Sequence, residues 1–280
     1  MSDQLLQLLD LLGAYPLHRA VENGDINAVE ILLHNGYDVN SGNYDQMTPL
    51  HVACNRGDIN CVRRLLKQGA NVNFSSIDGG TPLCDAASRG SVSCIRLLLD
   101  SGALVNPPLC LNTPLHEASF NGNPDCVQLL VDAGAMLNVN DCNLGTPLHI
   151  AVLRNHVECA RILLNAGADV NALKIHQAPL HIAATNESEE LGCLLLEYGA
   201  SVYMTNNRGL TPRQLMSRHH GKLYTKILER ERIPVSLKEI CRQRIRAMLG
   251  PRRLRQLNRF RSLPTLMLVY VGHGNLKECT

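Results

Sequence analysis

Residues 48–73, TPLHVACNRGDINCVRRLLKQGANVN, contain the pattern that decides the fold. Thr48 can cap a helix whose first turn tolerates Pro49, because the amide hydrogen that proline lacks would be unpaired there. This first helix is expected to stop near Gly57. A second helix, which carries paired leucines, is expected to end at Gly69, a residue that favours a left-handed C-terminal cap. The stretch therefore predicts two short helices joined by a tight turn.

The same pattern recurs along the first 230 residues at intervals of 32 or 33 residues. A glycine stands twenty residues after each of the first six prolines, and a pair of apolar residues recurs in phase between them. One helix pair cannot bury its own apolar face, so successive pairs must stack in series. The period predicts a solenoid whose repeats, numbered 1 to 7, begin at Pro16, Pro49, Pro82, Pro114, Pro147, Pro179 and Pro212.

These units, with Thr-Pro-Leu-His followed by Ala, Leu-Leu, Gly-Ala and Val-Asn, closely resemble the ankyrin repeat, whose known period is 33 residues. The resemblance covers residues 15–230. It implies an all-α ankyrin-repeat solenoid of helix-turn-helix units with short turn or hairpin fingers. Six repeats are clear, whereas repeat 7 carries Arg213 and Gln214 where Leu and His are expected, as in a degenerate terminal cap. The leucine-rich residues 1–14 predict an N-terminal capping helix, with a partner-binding helix as the alternative.

Histidines and cysteines recur in fixed phase, which raises the question of a metal array. In ankyrin-like repeats the residue two after the proline is a buried, hydrogen-bonding histidine, so we prefer a structural role here. Cysteines twelve residues after the proline are expected to fill the core, because stacked helices lie about 8–10 Å apart. A disulfide needs Cα atoms within about 7 Å. No metal or cofactor is therefore expected at His18, His51, His116, His149 and His181 or at Cys61, Cys94, Cys126 and Cys159.

The absence of catalytic motifs and of long apolar runs argues against an enzyme and against a membrane protein. The sequence has no glycine-rich phosphate loop before a strand, no Gly-x-Ser-x-Gly elbow and no set of kinase motifs. Residues 1–12 lack the basic leader and cleavage site of a signal peptide, and no apolar run approaches the roughly 18 residues of a membrane span. We expect a non-enzymatic, cytoplasmic protein with free thiols, and the nucleus is a further candidate compartment.

A different pattern begins after Pro234. Residues 1–230 carry 16 Lys and Arg against 22 Asp and Glu, whereas residues 231–280 carry 11 against 3. Ser236 and Glu239 form a capping box, and apolar residues at helical spacing predict a helix from Leu237 to Leu249. Two shorter amphipathic pieces follow. The pattern predicts a small three-helix domain over residues 231–272 and a tail over 273–280.

The spacing Leu237-x-x-x-Cys241-x-x-x-Ile245 resembles the elongin C-binding motif of a SOCS box. The downstream Leu263-Pro264 and Tyr270 resemble the cullin-contacting half of that box, although Arg261-Ser262 replaces part of the fuller Leu-Pro-apolar-Pro motif. The resemblance implies an elongin C contact through Leu237, Ile240, Cys241, Ile245 and Leu249. It implies a cullin contact through Leu263, Pro264, Met267 and Tyr270.

Repeats and box together are similar to the ankyrin repeat and SOCS box family, whose members are substrate receptors of elongin–cullin–RING ubiquitin ligases. The partners implied are elongin B/C, a cullin of the fifth type with its RING protein, and an unknown target protein. A plain ankyrin scaffold or inhibitor that acts by occupancy is the alternative function. Eight arginines between Arg242 and Arg261 offer nucleic-acid binding as another alternative. We favour solvated helix faces, because no recognised nucleic-acid module accompanies these arginines.

The target is expected to bind at positions six and seven residues after the repeat proline. These positions are neither caps nor core, and in ankyrin-like solenoids they face the concave groove. An apolar centre with arginines around it is typical of an interface hot spot, and it predicts a target with an apolar segment and acidic flanks. The alternative is that Phe120 packs between repeats as core. The predicted target-binding residues are Arg56, Arg89, Phe120, Asn121, Leu153 and Arg154.

Overall fold

The computed structural model describes residues 13–108, 112–141, 143–217 and 221–232. The predicted N-terminal capping helix, up to Leu12, lies outside these residues. The predicted three-helix box from Ile233 onward lies outside them as well. The elongin C and cullin contacts assigned to that box therefore stay predictions from the sequence.

The described residues form short α-helices in pairs, so the all-α repeat architecture is confirmed. Each first helix begins at its repeat proline, as the sequence predicts. In chain order the helices are α1 Pro16–Asn23, α2 Ile26–His34, α3 Pro49–Arg56, α4 Ile59–Lys67, α5 Pro82–Arg89, α6 Val92–Asp100, α7 Pro114–Asn121, α8 Pro124–Asp132, α9 Pro147–Leu153, α10 Val157–Ala166, α11 Pro179–Thr185, α12 Glu189–Glu197, α13 Pro212–Leu215 and α14 Lys222–Arg232.

Helix ends follow the residues that the sequence marks. In repeat 2, α3 ends at Arg56 because Gly57 takes a φ of 74°, in the left-handed region that glycine tolerates. The second helix starts at an Asp58 cap whose side chain accepts hydrogen bonds from Asn60 N and Cys61 N. Gly69, with a φ of 84°, follows the end of α4 and turns the chain into the next finger.

The repeated histidines have a structural role. In repeats 2 and 5 the threonine N–H before the proline donates to the histidine Nδ1, at 3.0 Å for His51 and 3.2 Å for His149. On the other side of each ring, Nε2 lies 3.3 Å from the carbonyl of Gly80 or 3.0 Å from that of Gln177, in the next finger. A neutral ring makes both bonds at once. Burial lowers the pKa of both histidines to about 4, which keeps them neutral.

The chain divides into two compact units, residues 1–135 and 136–280. Unit 1 holds α1 to α8, and unit 2 holds α9 to α14. Each unit has its own core of leucines from both helices of a repeat, such as Leu50 and Leu65 in unit 1 and Leu148 and Leu163 in unit 2. The four phased cysteines are buried thiols outside any disulfide, which confirms that they fill the core.

Asparagines on the fingers fix the stacking of successive repeats within each unit. Asn73 Nδ2 donates to the carbonyl of Gly102 at 3.1 Å, and Asn73 Oδ1 accepts from the Leu104 amide at 2.8 Å. In unit 2, Asn171 makes the matching pair, a 3.3 Å bond to Gly199 O and a 2.8 Å bond from Ser201 N. One side chain thus pairs both a donor and an acceptor of the next repeat.

Repeat 7 departs from the pattern but keeps its cap. Its first helix, α13, has only four residues. Gln214 occupies the histidine position, and its Oε1 accepts a hydrogen bond from the Thr211 amide at 2.8 Å. The second helix, α14, packs on α12 and buries Leu223 and Ile227 completely. An amide side chain has therefore replaced the imidazole as the acceptor at this helix start.

Candidate functional site

The residues predicted to bind the target in unit 1 lie at the C-terminal ends of the first helices. Arg56, Arg89, Phe120 and Asn121 are all exposed. Phe120 is 41% exposed, so it does not pack as a core residue between repeats. A large apolar side chain that remains accessible at the end of α7 is compatible with the interface hypothesis for this position.

Two of these residues, Arg56 and Asn121, make hydrogen bonds that support the fold. The sequence predicts no structural role for either of them. Asn121 Nδ2 donates to the carbonyl of Ser88 at 2.9 Å, and the Arg56 guanidinium donates to the carbonyl of Glu22. In each case the seventh residue after the proline reaches the last turn of the preceding first helix. A helix end leaves carbonyls without an intrahelical partner, and these two side chains satisfy them. Any target contact would have to share Arg56 and Asn121 with this bonding.

In unit 2 the predicted residues Leu153 and Arg154 are also exposed, and Leu153 is 44% accessible. The carbonyl of Leu153 accepts a 3.5 Å hydrogen bond from Asn186 Nδ2, so the pattern seen in unit 1 recurs here. Apolar residues of the neighbouring finger are exposed as well, with Ile175 at 66% and Leu173 at 46%. Unit 2 thus presents its own apolar surface.

A recess of about 320 Å³ opens beside the predicted surface of unit 1. Three carboxyl groups line it, and two of them, Asp85 and Glu117, stand at the third residue after the repeat proline. The same position holds Val52 in repeat 2 and Ile150 in repeat 5. The full lining is Met47, His51, Ser76, Asp78, Gly80, Cys84, Asp85, Ser88, Asn112 and Glu117.

Both carboxyl groups have a pKa above the ordinary value of a carboxyl group. Burial and the neighbouring charge of Glu117 raise the pKa of Asp85 to about 7. Burial also raises the pKa of Glu117, although hydrogen bonds with Ser88 and Asn112 act in the opposite direction. Like charges in a partly dry site disfavour ionisation of one member of the pair. The surface of unit 1 therefore carries acidic groups beside its arginines, so it is not simply basic.

The sequence reasoning missed Asp85 and Glu117, although the repeat phase contains a signal. Aligning the units by their prolines would have shown two acids at the position where repeats 2, 5 and 6 carry β-branched apolar residues. Repeat 3 also has Cys84 in the histidine position, where its Sγ lies 3.5 Å from Thr81 Oγ1. Within the described ranges, no group of three or more His, Cys, Asp or Glu side chains is arranged to hold a metal ion.

Comparisons with known proteins identify the repeats. A family model for ankyrin repeats in three copies matches residues 17–108 and 104–174, and a single ankyrin-repeat model matches residues 176–207. Human ankyrin repeat and SOCS box protein 9 is 43% identical over 82 residues, which cover 29% of this chain and 27% of that protein. The chain thus spans less than a third of that relative's length, and the matched stretch lies in the ankyrin repeats.

Solved structures agree with the family models. The ankyrin repeat domain of human ASB11 superposes with a TM-score of 0.72 at 33% identity, covering 79% of this chain and 99% of that one. The ankyrin repeat domain of Bcl-3, a member of the IkappaB family, superposes with a TM-score of 0.65 at 30% identity, over 78% of this chain and 99% of that one. In the part of the chain that the structure covers, no helix has the length and apolar character needed to cross a bilayer.

Proposed function

We propose a function for this chain on the basis that it belongs to the ankyrin-repeat family. Its repeats bind a target protein, and its C-terminal box recruits an elongin B/C–cullin–RING ubiquitin ligase, so that the chain is the substrate-recognition subunit. The observation that carries this proposal is the 43% identity to an ankyrin repeat and SOCS box protein. The box-like stripe from Leu237 to Leu249, which follows the last repeat helix within a few residues, supports it.

The mechanism is positional, and the chain itself makes and breaks no bonds. The box docks on elongin C through the apolar stripe, and a cullin of the fifth type with its RING protein joins through Leu263, Pro264, Met267 and Tyr270. An E2 enzyme held by the RING protein can then modify lysines of the bound target, because binding both proteins to one assembly raises their effective concentration. We assign this activity to the cytoplasm, with the nucleus as a further compartment.

Target recognition is assigned to the exposed ends of the first helices in each unit. In unit 1 the exposed ring of Phe120 and the cations Arg56 and Arg89 have the composition of an interface hot spot, as do Leu153 and Arg154 in unit 2. A target with an apolar segment and acidic flanks fits these arginines. The carboxyl pair of Asp85 and Glu117 disfavours an acidic residue of the target directly at the recess of unit 1.

A binding measurement with purified elongin B/C tests the assignment. The unchanged full chain is expected to bind, whereas Leu237→Arg with Cys241→Arg is expected to abolish binding. Two charges on the apolar stripe would have to be desolvated in the groove without a partner. Gln243→Arg, which adds an arginine on the polar side of the same predicted helix, is the matched control and should bind normally.

The same measurement separates the proposal from the alternative scaffold or inhibitor. A chain that acts by occupancy alone has no use for the box and would not bind elongin B/C. Retained binding by the Leu237→Arg, Cys241→Arg chain would show that elongin C is held by other residues. Unchanged thermal unfolding of the repeats in both variants would establish that any loss is local to the box.

A further inference from the structure

The last helix of the repeats is docked along its whole length on the rest of unit 2. Leu223 and Ile227 of α14 are completely buried. Gly192 on α12 makes room for this contact, since a Cβ there would lie 2.4 Å from Leu223 Cδ2. At the first turn, the amide of Lys222 donates to Glu189 Oε1 at 3.2 Å. The helix is therefore an integral part of the stack and cannot swing as a free linker.

Three separate elements also hold the final turn of α14. The Tyr203 hydroxyl, from the finger of repeat 6, donates to the carbonyls of Arg230 and Glu231 at 3.3 and 3.2 Å. Arg213 Nε, from α13, lies 3.0 Å from both carboxylate oxygens of Glu231. In the opposite direction, the Arg230 guanidinium donates to the carbonyl of Leu196 on α12 at 3.2 Å. We call Tyr203, Arg213, Arg230 and Glu231 the α14 clamp.

The clamp is unusual for a helix end at the surface. The last carbonyls of a helix have no intrahelical partner, and such ends commonly fray. Tyr203 is 56% exposed, and an ion pair as accessible as the one between Arg213 and Glu231 contributes little to folding stability. The contribution of α14 to the stability of unit 2 comes from its buried apolar residues, Leu223 and Ile227. What the clamp adds is a fixed direction for the helix end.

That direction has a consequence under the proposed function, on which this inference rests. Only four residues of the sequence separate Arg232 from Leu237, the first predicted elongin C contact. Five Cα–Cα steps join Arg232 to Leu237 and span at most about 18 Å, so the orientation of α14 limits where elongin C can lie. We propose that the α14 clamp is a positioning device that fixes the bound elongin C relative to the repeats of unit 2.

A distance measurement in the complex of the full chain with elongin B/C tests the clamp. One spin label is placed at exposed Leu173 of unit 2 as a noncanonical amino acid, which avoids the native cysteines, and the other on elongin C. Pulsed electron paramagnetic resonance then gives the distribution of label–label distances. The unchanged chain should give a narrow distribution. Tyr203→Phe with Arg213→Ala should widen it about twofold, as expected when a fixed helix end becomes a flexible link.

Rescue variants distinguish positioning from general stability. The charge swap Arg213→Glu with Glu231→Arg retains an ion pair and should give the same narrow distribution as the unchanged chain. Tyr203→Phe alone removes one hydroxyl and keeps the ring, so it reports on the clamp even if the double variant unfolds; it should widen the distribution partially. The elongin B/C affinity should be unchanged in all of these variants, because none alters the box.

Each outcome bears on one hypothesis. Absence of elongin B/C binding by the unchanged chain overturns the proposed function itself. Binding with the same distance distribution in the unchanged chain, in Tyr203→Phe and in Tyr203→Phe with Arg213→Ala overturns the clamp alone. A broad distribution in the unchanged chain also overturns it. A distribution that is widened in Tyr203→Phe with Arg213→Ala but of normal width in the charge swap supports it.

Discussion

At the scale of single residues, Asp85 differs from the aliphatic residues at the same repeat position because its side chain is polar and can ionise. Val52, Ile150 and Ile182 occupy the same phase and need no hydrogen-bond partner. Asp85 instead places a carboxyl group in the recess of unit 1 next to Glu117. A desolvated acid beside another acid holds its proton more tightly in the folded chain than in the unfolded chain. Stability of the repeats should therefore depend on the ionisation of this one group.

We predict that the unchanged chain loses folding stability as the pH rises and that Asp85→Asn abolishes this loss. The folded pKa of about 7 lies above the unfolded value near 4. The favourable contribution of protonated Asp85 is thus fully present below pH 4 and is lost as the pH rises through 7. Urea unfolding at pH 4 and pH 8 should show the unchanged chain losing about 2 kcal/mol relative to Asp85→Asn, half of the full linkage value because the recess is open to water.

The prediction compares Asp85→Asn with the unchanged chain because the buried histidines change the stability with pH in the opposite direction. The pKa of His51 and His149 falls to about 4, so their contribution is present above pH 6.5 and is lost as the pH falls through 4. Both variants share that slope, and it cancels in the comparison. Asp78→Asn, which removes an exposed carboxyl from the same recess, is the control. Parallel stability curves for Asp85→Asn and the unchanged chain between pH 4 and 8 would contradict the prediction.

At the scale of helices, the repeats depend on close approach between neighbours, and α12 with α14 shows this most clearly. Gly192 lies in the middle of α12 and Leu223 near the start of α14, both in unit 2. Alanine favours an isolated helix by about 1 kcal/mol over glycine. Overpacking of a filled core costs about 1–3 kcal/mol. The contact with Leu223 should outweigh the helix propensity, because the leucine is completely buried and a Cβ at residue 192 would lie 2.4 to 3.0 Å from three of its side-chain carbons.

We predict that Gly192→Ala destabilises unit 2 by about 1–2 kcal/mol, as measured by urea unfolding. The control is the same substitution in a Leu223→Ala background, where the obstructing methyl groups are absent. There, Gly192→Ala should be neutral or stabilising, because only the propensity gain remains. An equal loss in both backgrounds would mean that contacts other than Leu223 make glycine necessary at this position.

Most helix starts and ends could be predicted from the sequence, because prolines and glycines act locally and recur in phase. Pro49 marks the start of α3 and Gly57 its end, and neither depends on another repeat. The hydrogen bonds of Arg56 and Asn121 could not be foreseen in this way. Their acceptors lie on the preceding repeat, so they depend on how the repeats stack. The α14 clamp was missed for the same reason, since Tyr203 and Glu231 are 28 residues apart.

At the scale of the whole molecule, the chain joins an acidic repeat region to a basic C-terminal segment. Residues 1–230 carry an excess of acidic side chains, and residues 231–280 carry an excess of basic ones. The charge changes sign where α14 ends, at Arg232. Leu223 and Ile227 of α14 pack within unit 2, so this helix is part of the repeat region. We therefore propose that the division between target binding and ligase recruitment lies directly after α14.

Two shortened chains test this division. A chain of residues 1–232 should unfold at the same temperature as the full chain and fail to bind elongin B/C, because it keeps every described core contact and lacks the predicted box. A chain of residues 1–217 loses α14, and with it the burial of Leu223 and Ile227, worth about 2 kcal/mol each. At about 2–4 °C per kcal/mol, its unfolding midpoint should fall by roughly 10 °C. If residues 1–232 unfolded as early as residues 1–217, the box would be part of the fold of unit 2 and not a separate recruiting module.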